Sequence, residues 1–188
     1  MRNKIIIGIT GTLGAGKGAI VDYLKKKGFK HYSVREFLIG EIKKRGLPVN
    51  RDSMVIVGND LRKKYGPSYL AEELCQQAEQ DGKYCIIESI RTPGEITALK
   101  AKGDCYIFAI DADPKLRYER IMKRNTITDQ ISFEEFMANE RREMSSDDPN
   151  KQNLSQCISM SDYKFDNSGT FDDLYKQVDQ VLLKIKSN

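Results

Sequence analysis

The sequence lacks any long hydrophobic run: its longest apolar stretches, Ile5 to Ile9 and Cys85 to Ile87, fall far short of the roughly 20 residues a helical membrane span needs. That excludes a helical span and favours partners met in water. Paired cysteines are also missing. Cys75, Cys85, Cys105 and Cys157 stand singly, matching neither the spacing of zinc ligands nor a redox CxxC, and read as reduced, buried thiols. The one histidine, His31, lies at a strand end and reads as structural or exposed rather than catalytic. No long basic run is present, because 31 Lys and Arg are interleaved with 27 Asp and Glu for a net charge of +4. Such a surface suits phosphate-bearing small molecules and not a nucleic-acid track or a membrane. No repeat or low-complexity tract appears. From Met1 and Arg2 the chain runs directly into a strand-like segment without a hydrophobic region and a small-residue cleavage site, so the expectation is a cytoplasmic protein. At 188 residues and 39% hydrophobic, one packed core and one domain spanning 1–188 are expected.

What is present alternates. Lys4 to Thr10 is a β-branched run ending in glycines, as for a strand buried on both faces. Gly16 to Lys27 reads as a helix with Ile20, Val21 and Leu24 inward and Gly28 ending it. A short strand over Phe29 to Tyr32 precedes helical stretches at Val34 to Arg45, Arg51 to Tyr65 and Pro67 to Gln80. Tyr84 to Ile90 is a further strand, and Thr92-Pro93-Gly94-Glu95 carries a capping box with proline in the first turn. Asp104 to Ile110 is a strand, Asp113-Pro114 opens a helix, and Ser132 to Glu135 repeats the capping spacing before a helix through about Arg142. Met144 to Gln156 is polar and reads as irregular, with Asp147 and Asp148 a solvated acidic loop. Tyr163 to Phe165 is a last strand, and Thr170 to Lys186 a closing helix with Phe171, Leu174, Val178, Val181, Leu182 and Ile185 inward. The order implies an α/β fold with a five-stranded parallel sheet flanked by helices, ligands lying beyond the carboxyl ends of the strands.

Gly11-Thr12-Leu13-Gly14-Ala15-Gly16-Lys17 fits GxxxxGK between a strand and a helix, the context that gives this phosphate-loop pattern its meaning. Glycines let backbone amides converge on phosphate oxygens, the helix N-terminus adds its dipole, and Lys17 brings a mobile charge to the outer phosphates. Gly18 and Ala19 follow Lys17, so the hydroxyl that usually helps hold the metal is missing. Thr10, Thr12, Glu88 or water are the alternatives for holding Mg2+.

Phosphoryl transfer needs charge neutralisation more than covalent help, and Arg35, Arg62, Arg91, Arg117, Arg120, Arg124, Arg141 and Arg142 lie after strands or in helices where they could ring a site. With these motifs the chain resembles the P-loop nucleoside-monophosphate kinases, adenylate kinases and the neighbouring dephospho-CoA kinases included, over nearly its whole length. The resemblance implies a P-loop NTPase fold, with an acceptor-binding helical insertion over about 33–80 and a small lid over about 125–150. It implies ATP with Mg2+ as cofactors, small-molecule nucleotide substrates, and a monomer or homodimer. Residue by residue, Gly11 to Gly18 is similar to the family's phosphate loop, making Gly11, Thr12, Gly14, Ala15, Gly16, Lys17, Gly18 and Ala19 the nucleotide-binding set. Ser33 to Leu38 is similar to the start of the acceptor-binding helix without its usual aspartate, so Ser33, Arg35 and Arg62 fall at acceptor positions. Ile86 to Thr92 is similar to the strand and loop that carry an acid, Glu88, and a phosphate-gripping arginine, Arg91. Arg120 is implied against the adenine, Arg124 on the phosphates, and Arg141 and Arg142 in the lid. Asp166-Asn167-Ser168-Gly169 resembles the dephospho-CoA kinase ending, which places Asn167 and Gly169 beside the adenine.

A hydroxyl acceptor benefits from a carboxylate base, whereas a monophosphate brings its own ionised oxygen. Arginines outnumber acids around the implied acceptor position, which favours a nucleoside or deoxynucleoside monophosphate; dephospho-CoA is the alternative, with Glu36 as a possible base. A nucleotide-binding switch that hydrolyses slowly is a third reading, motivated by Gly18; Asn150-Lys151-Gln152-Asn153 lacks the aspartate of a guanine reader. Lys17→Ala is expected to abolish phosphoryl transfer while circular dichroism and thermal melting stay those of the parent. Near-normal turnover in that variant would refute the assignment.

Overall fold

The computed structural model describes residues 5–81, 84–124 and 130–187. Strand β1 (Ile5–Gly11) is buried along its whole length, as a strand sandwiched between two layers of helices must be. It is the centre of a five-stranded parallel sheet that also contains β2 (Lys30–Ser33), β3 (Tyr84–Glu88), β4 (Cys105–Asp111) and β5 (Tyr163–Asp166), in the order β2-β3-β1-β4-β5. Ile9 sits opposite Glu88 of β3 on one side and Phe108 of β4 on the other. Ser33 lies opposite Glu88 from the far side of β3. The carboxyl ends of β1, β2 and β3 thus meet at one level.

Alternation along β1 divides the core in two. Ile5, Ile7 and Ile9 pack with Phe108, Ile110 and residues of α1 (Lys17–Lys26) and α9 (Phe171–Ser187). Ile6 faces the other way, into a layer built on α2 (Val34–Lys44), α3 (Arg51–Tyr65), α4 (Tyr69–Asp81) and α5 (Pro93–Lys100). Three helices therefore stand between β2 and β3, where the helical insertion was expected. The remaining helices are α6 (Pro114–Arg124), α7 (Phe133–Met144) and α8 (Leu154–Ser159). No helix among the described residues is long and apolar enough to cross a membrane.

Local signals set the helix ends where the sequence predicted them. Thr92 accepts from Glu95 N and the Glu95 side chain returns to Thr92 N, a complete capping box. Ser132 caps α7, Asn50 accepts from Ser53 N at 2.8 Å to start α3, and Gly28 leaves α1 with φ of 90°.

One expectation holds in part and another needs correction. The polar stretch 144–156 is irregular over 145–153 as expected, and it is held by a turn in which Asp148 accepts from Asn150 N at 3.0 Å. It then enters α8, capped by Asn153, whose N–H donates to Arg91 O at 2.9 Å. Leu154 and Cys157, three residues apart, supply the buried face that this polar composition conceals. Phe171, expected inward, is 53% exposed, since it is the first residue of α9 and only the later positions Leu174, Val178, Leu182 and Ile185 reach the core. Val181 is partly buried. Lys4 and residues 125–129, the start of the expected lid, lie outside the described residues.

One ion pair is fully enclosed. Arg62 Nε donates to Glu95 Oε1 at 2.9 Å, with exposures of 2% and 0%. The same carboxylate receives Arg91 N at 2.7 Å and Thr92 N at 3.2 Å. It joins α3, α5 and the loop after β3 at one point, and losing its charge would strand a buried guanidinium. Glu95→Gln is expected to lower unfolding free energy by about 3–5 kcal/mol in urea titration. A loss below about 1 kcal/mol, typical of an exposed pair, would contradict this.

Candidate functional site

Beyond the carboxyl ends of β1 and β3 opens a cavity of about 1030 Å³. Its floor is the loop between β1 and α1. Gly14 and Gly16 have φ of 78° and 97°, the left-handed region that glycine enters without strain. A Cβ at Gly14 would stand 2.5 Å from Arg117 O, and one at Gly16 2.1 Å from Asn167 Nδ2. Leu13, Gly14, Gly16, Lys17, Gly18 and Ala19 line the cavity. Gly11, Thr12 and Ala15, the other members of the expected nucleotide-binding set, are buried at the back of the loop and do not line the cavity. Thr12 Oγ1 donates to Asp111 Oδ1 at 2.6 Å, and Ala15 O accepts from Asn167 Nδ2 at 2.8 Å.

Behind the floor stands Arg117. Its Nε donates to Ala112 O at 2.8 Å, its Nη1 donates to Leu13 O at 3.1 Å, and both terminal nitrogens reach the Glu140 carboxylate on α7. The sequence placed Arg117 among the arginines around a site; the structure makes it the loop's buried prop. Lys17 Nζ donates to Gly11 O at 2.9 Å and Thr12 O at 2.8 Å, closing the loop on itself. Burial, followed by the charge of Arg91, lowers its pKa to about 7 against the opposing pull of Glu88 and Glu143.

At one end of the cavity are Arg120, Arg124, Asn167, Gly169 and Phe171. Arg120 Nη2 donates to Asn167 O at 2.8 Å while its Nη1 is buried without a partner. At the other end are Arg35, Arg51, Arg91, Glu88 and Glu143, above an apolar patch of Val34, Leu38, Met54 and Val55. Arg35 is at the exposed rim. Ser33 caps α2 and approaches Glu88 Oε2 at 3.4 Å without lining the cavity. Arg62 lines it, yet its charge is matched by Glu95. Burial would raise the pKa of Glu88, but His31 at 3.6 Å and the Lys17 ammonium hold it down, at about 2.

Arg141 and Arg142 are corrected by helix geometry. Both are exposed on α7, Arg142 pairing with Asp52 at 3.1 Å on the surface, and neither lines the cavity. The inward side of that turn belongs to Glu140 and Glu143, three residues apart. Glu143 and Arg51 were not anticipated; the clue was the repeat of glutamate at 140 and 143 around two arginines. Phe171 was read as core.

An oxygen-seeking cation would find few ligands. Thr10 and Thr12 spend their hydroxyls on Ile90 O and Asp111. Among the described residues no group of three or more His, Cys, Asp or Glu is placed to hold a metal. Glu88, ionised and lining the cavity, is one protein oxygen donor that would fit a magnesium ion otherwise held by phosphates and water.

A family model described as an AAA domain matches residues 7–146. The chain belongs to this AAA domain family. The AAA-domain chain is 28% identical over 187 residues to a UPF0200 protein of Methanocaldococcus jannaschii, covering 98% of this chain and 92% of that one. To a UPF0200 protein of Pyrococcus horikoshii it is 26% identical over 190 residues, covering 98% and 99%. Among solved structures it is similar to a shikimate kinase from Acinetobacter baumannii, with a TM-score of 0.59, 15% identity, and 100% and 97% of the chains covered. It is also similar to a dephospho-CoA kinase from Campylobacter jejuni, with a TM-score of 0.51, 14% identity, and 97% of each chain covered. The fold is that of the P-loop kinases.

The lowered pKa of Lys17 has a measurable sign. With its pKa lowered to about 7, Lys17 is mostly neutral at pH 8, and a polyphosphate bound above the loop would supply the counter-charge that raises its pKa again. ADP binding at pH 8 is therefore expected to take up roughly one proton, read by calorimetry in buffers of different ionisation enthalpy. Proton release, or none exchanged, would contradict it.

Proposed function

We propose that this chain is an ATP-dependent kinase whose acceptor carries a phosphate, most simply a nucleoside or deoxynucleoside monophosphate. The observation that carries the reading is convergence: Lys17 of the glycine loop, Arg51 of α3 and Arg91 after β3 line one end of a single cavity, while Arg120, Asn167 and Gly169 line the other. A donor nucleotide lying with its base toward Arg120 and its phosphates along Gly14 to Ala19 brings its terminal phosphate toward Arg51 and Arg91.

In this reading the loop amides and Lys17 hold the donor's outer phosphates, Arg124 on α6 reaches them from the side, and Arg91 and Arg51 hold the acceptor phosphate in line. Positioning and charge neutralisation then supply most of the catalysis. When bound, Mg2+ would neutralise charge on the transferring oxygens, with Glu88 its protein ligand. The acids at the acceptor end favour a phosphate over a hydroxyl. Glu88 is held at about 2. Glu143, which burial would raise, is kept below the usual carboxylate range by Arg91 and Arg51. Both are weak bases, and a hydroxyl needs a base nearer neutrality.

Dephospho-CoA is the second reading, supported by the ending at Asp166 to Gly169. There the Asn167 side chain seats the back of the loop and its carbonyl holds Arg120. Coupled ATP consumption with Mg2+ and a panel of ribo- and deoxynucleoside monophosphates plus dephospho-CoA separates the two. Turnover greatest with a monophosphate is expected. Preference for dephospho-CoA would overturn the phosphate acceptor, and ATP consumption that no acceptor accelerates would replace the kinase by a hydrolytic switch.

A further inference from the structure

The cationic end of the cavity already holds an anion, and it belongs to the protein. Glu143, buried near the end of α7, receives Arg51 Nη2 on Oε1 at 2.5 Å and Arg91 Nη1 on Oε2 at 2.6 Å. The two arginines come from unrelated elements, the first turn of α3 and the loop after β3, and each gives one N–H to one oxygen of the same carboxylate. Two guanidinium groups converging on two oxygens of a planar anion is also the donor set that a phosphate monoester requires. The carboxylate leaves that donor set incomplete, because Arg51 Nε is buried and has no hydrogen-bond partner. A tetrahedral anion with a third oxygen could satisfy it.

Glu143 also sits on a helix pinned at a second point. One turn earlier Glu140 pairs with Arg117, which holds the glycine loop through Leu13 O. Thus α7 extends one carboxylate to the donor half of the site and another to the acceptor half.

We propose that Arg51 and Arg91 form the acceptor-phosphate subsite and that Glu143 is its internal occupant, displaced when a phosphate monoester enters. The identity of the incoming group rests on the kinase reading above; the anion clamp itself does not. Displacement, and not joint occupancy, follows from charge. A phosphate dianion on the same two guanidinium groups would lie against an ionised carboxylate in a partly desolvated pocket, where like charges repel strongly. Two consequences follow. An acceptor's apparent affinity is lowered by the fraction of molecules in which Glu143 fills the clamp. A ligand without an anion at this point leaves the latch shut, so Glu143 selects for phosphate-bearing acceptors, and the C-terminal turn of α7 is released only when one arrives.

The test titrates inorganic phosphate into the full chain by calorimetry, with ADP present to fill the glycine loop, for the parent, Glu143→Gln and the double variant Glu143→Gln with Arg51→Gln. Glu143→Gln is expected to bind phosphate about tenfold more tightly, and the added Arg51→Gln to abolish the gain. Unchanged or weaker phosphate binding in Glu143→Gln would show that the carboxylate only supports the arginines, and would overturn the proposal. If Glu143→Gln does not fold, Glu143→Asp draws the charge back by one methylene and should tighten phosphate binding by a smaller factor; unchanged or weaker binding there overturns it equally. In steady state, the monophosphate that turns over fastest should show a lower KM in Glu143→Gln with kcat equal or reduced. Tighter phosphate binding without turnover of any acceptor would sink the kinase reading and leave the clamp standing. Acceptor turnover with phosphate binding indifferent to Glu143 would do the reverse.

Discussion

The site depends on a loop that has no room to be anything else. Between β1 and α1 the backbone passes through left-handed conformations at Gly14 and Gly16, and there it touches Arg117 O and Asn167 Nδ2 so closely that a methyl group could not be placed. The loop is thereby gripped from behind by two residues far away in the chain. Arg117 reaches the carbonyl of Leu13, and Asn167 the carbonyl of Ala15. Those carbonyls are thereby engaged at the back of the loop, away from the cavity that Gly14 and Gly16 line. The buried threonine hydroxyls of the same segment are also turned away, to Ile90 and Asp111. Neither hydroxyl is therefore free to ligate a metal.

Charge compensation organises the rest of the cavity. Positive groups outnumber negative ones, and without ligand the excess is contained by partners drawn from distant elements: Glu95 for Arg62, Glu140 for Arg117, Glu143 for Arg51 and Arg91. These pairs differ in kind. The Arg62–Glu95 pair is buried on both sides, and its carboxylate also receives two backbone N–H groups, so it belongs to the frame. In the Glu143 pairs the carboxylate itself lines the cavity, whereas Glu95 does not, so it is the Glu143 anion that a ligand can reach. Lys17 has carbonyl oxygens as its hydrogen-bond partners, and its proton affinity falls to about 7.

The periodicity and capping of the chain determined the order of strands and helices, the parallel sheet, the glycine loop and the starts of α3, α5 and α7. These are local matters: a β-branched run, a Thr-x-x-Glu spacing or a glycine between strand and helix acts through neighbours in sequence, and each such reading agrees with the structure. Lys17, Arg91, Arg120 and Arg124 were legible as cavity residues for the same reason, since each follows a strand or lies on a helix whose direction the motif fixes.

Only the tertiary structure decided which side of a helix the site would use and which charges would neutralise one another. Sequence made Arg141 and Arg142 the lid's contribution, but the rotation of α7, set by Phe136 in the core and Glu140 on Arg117, turns those arginines outward and Glu143 inward. Arg51 was read only as a helix start, Phe171 as core, and Arg62 as an acceptor contact. Their roles depend on partners dozens of residues away, and no period or spacing records a pairing that exists only once the sheet has brought α3, α5, α7 and the loop after β3 to one level.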